Sequence, residues 1–170
     1  MNDIIEEISK RKSIRNYIEK EISEDVYLRL IEAGRLAPTA KNRQKWKIII
    51  VNDKDLKEKL VPACNDQVFV SQASAIFVAI STEDYIMRCN IPADIVDTSI
   101  VLQNIVIQAV KEGLGTCYIG SFYPDQVKKV LGIPEDIKII QLLTVGYPKE
   151  YPLPKPRKPL EEFYSFNAYE

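Results

Sequence analysis

The chain has 170 residues, a net charge of −1 and no histidine. Its length suits a single domain, expected over residues 1–170, and 46% apolar with 28% charged residues is a globular composition. The lack of histidine excludes nucleophile–histidine catalysis and histidine-based metal sites, and we expect no metal. The balance of 23 basic against 24 acidic side chains argues against nucleic-acid binding, because such domains are usually strongly basic.

The three cysteines indicate free thiols. Cys64, Cys89 and Cys117 are odd in number and form no Cys-x-x-Cys pair, which argues against a disulfide framework and a four-cysteine zinc site. Free thiols suit a reducing compartment. The N-terminal stretch MNDIIEEISK is acidic, unlike a signal peptide, and no apolar run reaches the roughly 18 residues of a membrane helix. These features predict a cytoplasmic chain that does not span a membrane.

Hydrophobic periodicity predicts alternating helices and strands. Ile4, Ile5 and Ile8 share one helix face, with Asn2 as the N-cap, and Pro38 ends the second helix. Runs of β-branched residues such as WKIIIV are typical of strands. The predicted helices are 3–12, 24–36, 54–60, 92–112 and 124–131, and the predicted strands are 46–51, 75–81, 116–120 and 138–146. This order indicates a mixed α/β domain.

Two segments suggest contacts beyond an ordinary core. The helix over 92–112 is apolar on most sides, so it is either buried or packed against a second subunit. The proline tail, residues 148–170, has five prolines between Pro148 and Pro159, which predicts an extended chain. This tail still carries Phe163 and Tyr164, and we expect it to dock on the same chain or on a partner.

Two basic clusters are candidate phosphate sites. The basic segment, Lys10–Arg15 (KRKSIR), combines four cations with a hydroxyl, and arginine forks match phosphate oxygens in geometry. The cluster Lys155–Pro159 (KPRKP) is held stiff by prolines and strengthens this interpretation if it meets the first cluster in space. The alternative is that the first cluster is a solvated helix end and the second a solubilising tail.

Two loops are candidate ligand contacts. The amide loop, residues 37–46 (APTAKNRQKW), offers amide, hydroxyl and indole groups that can read a heterocycle edge, although an ordinary turn has the same composition. The run 113–122 (GLGTCYIGSF) allows close approach of backbone to a ligand, but it is not a dinucleotide-binding Gly-x-Gly-x-x-Gly helix start. Its glycines also suit a helix end and a turn, and Cys117 suits a small core residue.

Taken in order, these segments resemble the nitroreductase family of FMN-dependent oxidoreductases. RKSIR resembles the family's Arg-x-Ser-x-Arg/Lys signature, and APTAKNRQKW its Pro-Ser/Thr-x-x-Asn-x-Gln-Pro-Trp loop. DTSIVLQNIVIQAVKEGLGTCYIGSF resembles the central helix and following strand, and PKPR the C-terminal phosphate clamp. The resemblance spans essentially the whole chain.

The resemblance implies a fold and an activity. The fold is α+β, with a central mixed, mainly antiparallel sheet flanked by helices, in an interlocked homodimer whose two FMN sites lie at the interface. The activity is transfer of hydride or electrons from NAD(P)H to a nitroaromatic, quinone or similar small acceptor in a ping-pong cycle. The short stretch 83–91 predicts an open pocket over the flavin.

The resemblance also assigns the cofactor-binding residues. Arg11 takes the role of the arginine that contacts the FMN phosphate. Ser13 and Arg15 lie near the phosphate or the pyrimidine end, Lys12 is counted with them, and Gln67 matches a polar contact to the pyrimidine edge.

The remaining assignments come from three other segments. Lys155 and Arg157 match the C-terminal phosphate pair. Ile119 and Gly120 match the segment whose backbone N–H lies near flavin N5, so no side chain is assigned as catalytic. The residues that match the loop reaching the flavin from the other subunit are Pro38, Thr39, Ala40 and Asn42. An alternative function is an FMN-binding redox module with little turnover that uses its tail for a protein partner.

Overall fold

The computed structural model describes residues 3–169. In this range the helices are α1 (Glu6–Lys10), α2 (Glu24–Arg35), α3 (Lys54–Ala63), α4 (Phe69–Gln72), α5 (Ala93–Lys111) and α6 (Pro124–Leu131). The strands are β1 (Trp46–Val51), β2 (Ala75–Ser81), β3 (Gly115–Ile119) and β4 (Lys138–Gly146). Short 3-10 turns lie at Ala40–Asn42 and Leu160–Glu162.

The four strands form one sheet in the order β1-β2-β4-β3, and every neighbouring pair is antiparallel. The register places Trp46 opposite Ser81. One parallel pairing involves a residue outside the four strands: an isolated bridge joins Ser13 to Thr116 of β3. The predicted α+β fold, with a mainly antiparallel sheet flanked by helices, is confirmed.

Both faces of the sheet are covered, because all seven residues of β2 are buried. Neighbouring side chains on a strand point to opposite faces. Phe77 therefore packs in one core with Leu102 of α5, while Val78 packs in the other with Leu60 of α3 and Val127 of α6. This burial on both faces explains why β2 reads as a continuous apolar run and not as an alternating one.

Helix α5 is the longest helix of the described range and lies against the sheet. It is long and apolar enough to cross a membrane, with a mean hydropathy of 1.3 over an 18-residue window, so the expectation of no such run was wrong. Half of that window is buried inside the chain, as in the core helix of a soluble protein. At Gly34 a β-carbon would lie 3.0 Å from the Ile105 side chain, so glycine allows α2 to pack closely on α5.

Several predicted boundaries shift. Helix α1 begins only at Glu6 and ends at Lys10, with Ile5 as its N-cap. The predicted N-cap, Asn2, lies outside the described residues. Pro92 occupies the N-cap of α5 instead of its first helical position, and strand β3 begins at Gly115, one residue earlier than predicted. Helix α4 was not predicted, because four residues are too few to show a helical period.

The chain after α1 is held against the ends of β3 and β4. The Ile14 N–H donates to the Thr116 carbonyl at 2.9 Å, and Ile14 itself is 1% exposed. At Gly115 a β-carbon would lie 2.3 Å from Ile14 Cγ1, and at Gly146 one would lie 3.0 Å from Tyr17 Cδ1. Glycine at both strand ends therefore allows this segment to lie directly on the sheet, which fixes the basic segment beside β3.

The proline tail leaves this junction as an exposed, extended chain. The Lys149 N–H donates to the Asn16 carbonyl at 3.0 Å, and the Asn16 amide donates to the Glu150 carboxylate at 3.0 Å. Beyond Glu150 all described residues are exposed, including Leu153 at 87% and Phe166 at 77%. The extended form agrees with the prediction, and this chain alone leaves the apolar residues of the tail uncovered.

Candidate functional site

The first part of the candidate site is the basic segment beside β3. The Arg11 guanidinium donates to the Ser13 hydroxyl at 3.5 Å, a long hydrogen bond. Ser13 is in turn paired with Thr116 of β3. The cluster predicted from sequence is therefore a structured group with a guanidinium and a hydroxyl on the same side.

Lys10, the first cation of this segment, forms an ion pair with Glu6, but the cations that follow it form none in the described range. Within residues 3–169, none of Arg11, Lys12 and Arg15 forms an ion pair. The cations that do form ion pairs in this range are Lys10, Arg29, Arg35, Arg43, Lys45, Lys128 and Lys138. Three cations without an acidic partner in one short segment, one of them hydrogen-bonded to a hydroxyl, favour an anionic ligand.

The arginine charges also bear on the pKa values of two β3 side chains. Burial raises the pKa of Tyr118 to about 12, and the Arg11 charge opposes that shift. Burial also raises the pKa of the Cys117 thiol, against the charges of Arg15 and then Arg11. The charges of both arginines therefore act on side chains of β3.

The second part of the site is the far end of β3. Ile119 is buried at 1% exposure, and its carbonyl accepts from the Gln141 amide at 2.8 Å. Gly120 follows in the open, where an added β-carbon would meet no heavy atom within 4 Å. The Gln67 amide donates to the Ser121 carbonyl at 3.1 Å, and so the structure brings Gln67 next to Gly120. Strand β3 therefore connects the basic segment, which pairs at Thr116, with Gly120 just beyond its C-terminal end.

The third part is the amide loop before β1, which is held in a strained conformation. Lys41, Asn42 and Gln44 have φ angles of 53°, 54° and 53°, values that cost non-glycine residues about 1–3 kcal/mol each. The Ala40 N–H donates to both carboxylate oxygens of buried Asp97, at 3.0 and 3.1 Å. The loop is therefore fixed to α5.

Hydrogen bonds within the amide loop complete this arrangement. The Gln44 N–H donates to the Thr39 hydroxyl at 3.2 Å, and the Gln44 amide donates to the Asn42 side-chain oxygen at 3.0 Å. Pro38 before them is exposed. The Asn42 side-chain nitrogen forms no hydrogen bond within the described loop. This nitrogen can therefore donate to a ligand outside this chain.

Within one chain, the amide loop and the basic segment stay apart. The loop leads into β1, while the basic segment lies on β3, and these strands are the opposite edges of the sheet. Three strand spacings of about 4.8 Å separate the edges by about 14 Å. One chain therefore places the two parts at opposite edges of the sheet.

Within residues 3–169 the cluster Lys155–Pro159 forms no hydrogen bond or ion pair with the basic segment. Lys155 and Arg157 are exposed, and the hydrogen bond formed by Arg11 in the described range is with Ser13. The assignment of Lys155 and Arg157 to the phosphate stays a prediction that depends on where the tail docks.

Two residues of the candidate site were not predicted from the sequence. Asp97, which holds the loop, is one of two buried carboxylates in the first half of the mainly apolar helix α5, and a carboxylate in such a helix was an available signal. Tyr118 lies outward beside Arg11, and its place next to inward-facing Cys117 follows from the alternation along a strand. The roles of both residues could be inferred only from their neighbours in the tertiary structure.

One fast-reacting thiol per chain is expected with dithiobis(nitrobenzoate). Cys89 is exposed, whereas Cys64 and Cys117 are buried. Burial raises the pKa of Cys64 to about 11, so at pH 8 it holds little of the thiolate that reacts. Absorbance should show one equivalent released at once and two more after denaturant. A fast phase that persists in Cys89→Ser would contradict this assignment.

Comparison with known proteins gives one consistent result. The profile of the nitroreductase family matches residues 8–90 and 87–147. A relative from Archaeoglobus fulgidus, described as a putative NADH dehydrogenase/NAD(P)H nitroreductase, is 29% identical over 154 residues, which cover 88% of each chain. An FMN reductase (NADPH) of Bacillus subtilis is 28% identical and covers 99% of this chain and 75% of its own.

A solved structure extends the similarity to three dimensions. The NADPH:FMN oxidoreductase from Vibrio harveyi, complexed with NAD+, superposes with a TM-score of 0.88 at 26% identity. The match covers 97% of this chain and 77% of that one. The motifs, the fold and the relatives all point in the same direction.

Proposed function

The chain belongs to the nitroreductase family, and from this premise we propose that it is an FMN-dependent NAD(P)H oxidoreductase acting on nitroaromatic, quinone or similar small acceptors. The observation that carries the proposal is the segment in which Arg11, Lys12 and Arg15 form no ion pair within residues 3–169 and Arg11 donates to the Ser13 hydroxyl. Relatives across the family are named FMN reductases and NAD(P)H nitroreductases, which supports the same cofactor and donor here.

The residues of the site fit FMN. A phosphate is a dianion at neutral pH, and guanidinium and hydroxyl donors are the groups that recognise it. Arg11 and Ser13 would hold the phosphate, and Arg15 the phosphate or the adjoining pyrimidine end. Lys12 adds positive charge to the same segment.

The far end of β3 suits the flavin ring. The open space at Gly120 lets a planar ring approach the backbone, which a side chain would prevent. Gln67, next to Gly120, would present polar atoms to the pyrimidine edge. The Ile119–Gly120 backbone would orient the reacting part of the ring, and the buried Ile119 side chain would keep that backbone in place. When bound, FMN supplies the redox chemistry, a ping-pong exchange in which NAD(P)H gives hydride before the acceptor takes electrons.

We propose that the working form is a homodimer. The amide loop, with Pro38, Thr39, Ala40 and Asn42, would reach the flavin held by the basic segment of the partner, which explains why one chain keeps them apart. The apolar residues of the tail would dock on the dimer and carry Lys155 and Arg157 to the phosphate. The surroundings would be a reducing cytoplasm, in keeping with the free thiols.

The cofactor assignment is tested by FMN uptake. Purified chain, stripped of any flavin and titrated with FMN, should bind one FMN per chain, as measured by flavin fluorescence quenching and by absorbance after gel filtration. A chain that retains no FMN after the titration would contradict the proposal.

Removal of residues 151–170 should weaken both dimerisation and FMN binding. The truncation preserves the hydrogen bonds of Asn16 with Lys149 and Glu150 and removes the uncovered apolar residues with Lys155 and Arg157. Sedimentation should show a shift toward monomer, and FMN titration a higher Kd.

A matched variant separates the two roles of the tail. The double substitution Lys155→Ala/Arg157→Ala should weaken FMN binding and leave the dimer intact, because it preserves the apolar residues. A truncated chain that remains fully dimeric and binds FMN normally would show that the tail serves neither role.

A further inference from the structure

A small cavity lies behind the amide loop and is lined by polar groups from four separate segments. It has a volume of about 10 Å³. Arg43 comes from the loop, Trp46 from the start of β1, Glu83 from the turn after β2, and Thr98 from α5. The cavity therefore lies where the loop, the sheet and the helix meet.

Each of these four side chains has one buried polar atom that forms no hydrogen bond within residues 3–169, although Lys45 Nζ lies 3.7 Å from Glu83 Oε2 as an ion pair. The atoms are Arg43 Nε, Trp46 Nε1, Glu83 Oε2 and Thr98 Oγ1. Thr98 is fully buried. A single buried polar group without a hydrogen bond costs about 1–3 kcal/mol, and four around one cavity are unusual in a native protein.

The four atoms are chemically complementary to one water molecule. Arg43 Nε–H and Trp46 Nε1–H are donors, which a water oxygen accepts. Glu83 Oε2 is an acceptor, and the Thr98 hydroxyl accepts as well, which uses both water protons. A volume of about 10–15 Å³ is the least that holds one water, and the cavity reaches that size.

We propose that a single internal water molecule occupies this cavity and fastens the amide loop to α5. The amide loop also makes direct contacts near this cavity. Arg43 forms an ion pair with Glu83 and lies over the Tyr85 ring, 4.6 Å from the centroid. Asp97, next to Thr98 in the sequence, accepts from the Ala40 N–H. The water joins these contacts into one polar network that holds the positive φ angles of the loop.

The site itself is tested by a high-resolution crystal structure of the full chain. We expect one peak of density at about 2.7–3.2 Å from all four atoms. Direct hydrogen bonds among the four side chains, or a side chain such as Lys45 filling the space, would overturn the proposal. This test does not depend on FMN, so its result is separate from that of the proposed function.

The role of the water is tested by a matched pair, Thr98→Val and Thr98→Ser. Valine preserves the shape and removes the hydroxyl, while serine preserves the hydroxyl. Thr98→Val should lose the density peak and melt about 2–8 °C below Thr98→Ser. Trp46 is the only tryptophan, so its emission should shift to shorter wavelength in Thr98→Val alone.

Amide hydrogen exchange locates the effect on the loop. Peptides covering residues 38–46 should exchange faster in Thr98→Val than in Thr98→Ser, while peptides from α6 should exchange equally in both. Equal exchange of the loop in the two variants, or a Thr98→Val chain as stable as Thr98→Ser, would overturn the fastening role. If Thr98→Val does not fold, the density in the unmodified chain together with Thr98→Ser decides the site.

Discussion

Replacement of Arg11 with alanine is expected to weaken FMN binding by about 10- to 150-fold. A charge-assisted hydrogen bond contributes about 1.5–3 kcal/mol, and about 1.4 kcal/mol corresponds to a factor of ten in Kd. Arg11 has no acidic partner in residues 3–169, so its loss leaves no buried charge uncompensated and the fold should be unaffected. FMN titration by fluorescence quenching measures the change, and circular dichroism checks the fold.

Lys10→Ala is the matched control for this prediction. Lys10 lies one residue earlier, carries the same charge and forms an ion pair with Glu6 at the surface. Its removal changes the net charge equally but leaves Arg11 and Ser13 in place, so the Kd for FMN should change little. An unchanged Kd in Arg11→Ala, or an equal loss in Lys10→Ala, would show that Arg11 does not hold the phosphate.

Gly115→Ala is expected to lower both the stability of the chain and its affinity for FMN. The added β-carbon would lie 2.3 Å from Ile14 Cγ1 and 2.9 Å from Pro148 Cγ, closer than atoms can pack. Overpacking of this kind costs about 1–3 kcal/mol. Ile14 must move to relieve this clash. Because Ile14 lies between Ser13 and Arg15, the proposed phosphate donors would move with it. Urea unfolding and FMN titration measure the two effects.

Gly120→Ala controls for the stability effect. It lies just beyond the other end of β3, and its β-carbon would meet no heavy atom within 4 Å. The free energy of unfolding should therefore stay close to that of the unmodified chain. A Gly115→Ala chain as stable as Gly120→Ala would show that the segment at Ile14 adapts without cost, against the packing described here.

Some elements of the fold follow from the local sequence alone. The β-branched run Trp46–Val51 forms a strand with the predicted bounds. The Asp53 carboxylate caps α3 by accepting from the Leu56 N–H at 2.9 Å. Gly132 ends α6 with a φ of 65°, a conformation that glycine adopts without strain. Each of these features depends on a few neighbouring residues.

Features that depend on distant contacts could not be predicted from the sequence. The periodic Ile4 and Ile8 suggested a longer α1, but both are more than half exposed in the chain, so nothing in it extends the helix. The tie between Ala40 and Asp97 joins residues 57 positions apart. Family resemblance supplied the candidate site residues, and the fold then showed which of them one chain brings together.

The most direct test of the account is an anaerobic absorbance spectrum of the FMN-loaded chain, before and after stoichiometric NADH and then NADPH. The flavin band should bleach with a nicotinamide donor and return on addition of a nitroaromatic or a quinone. A bound flavin that resists both donors would contradict the oxidoreductase assignment and favour a redox module with little turnover. A colourless chain that takes up no FMN would contradict the cofactor site itself.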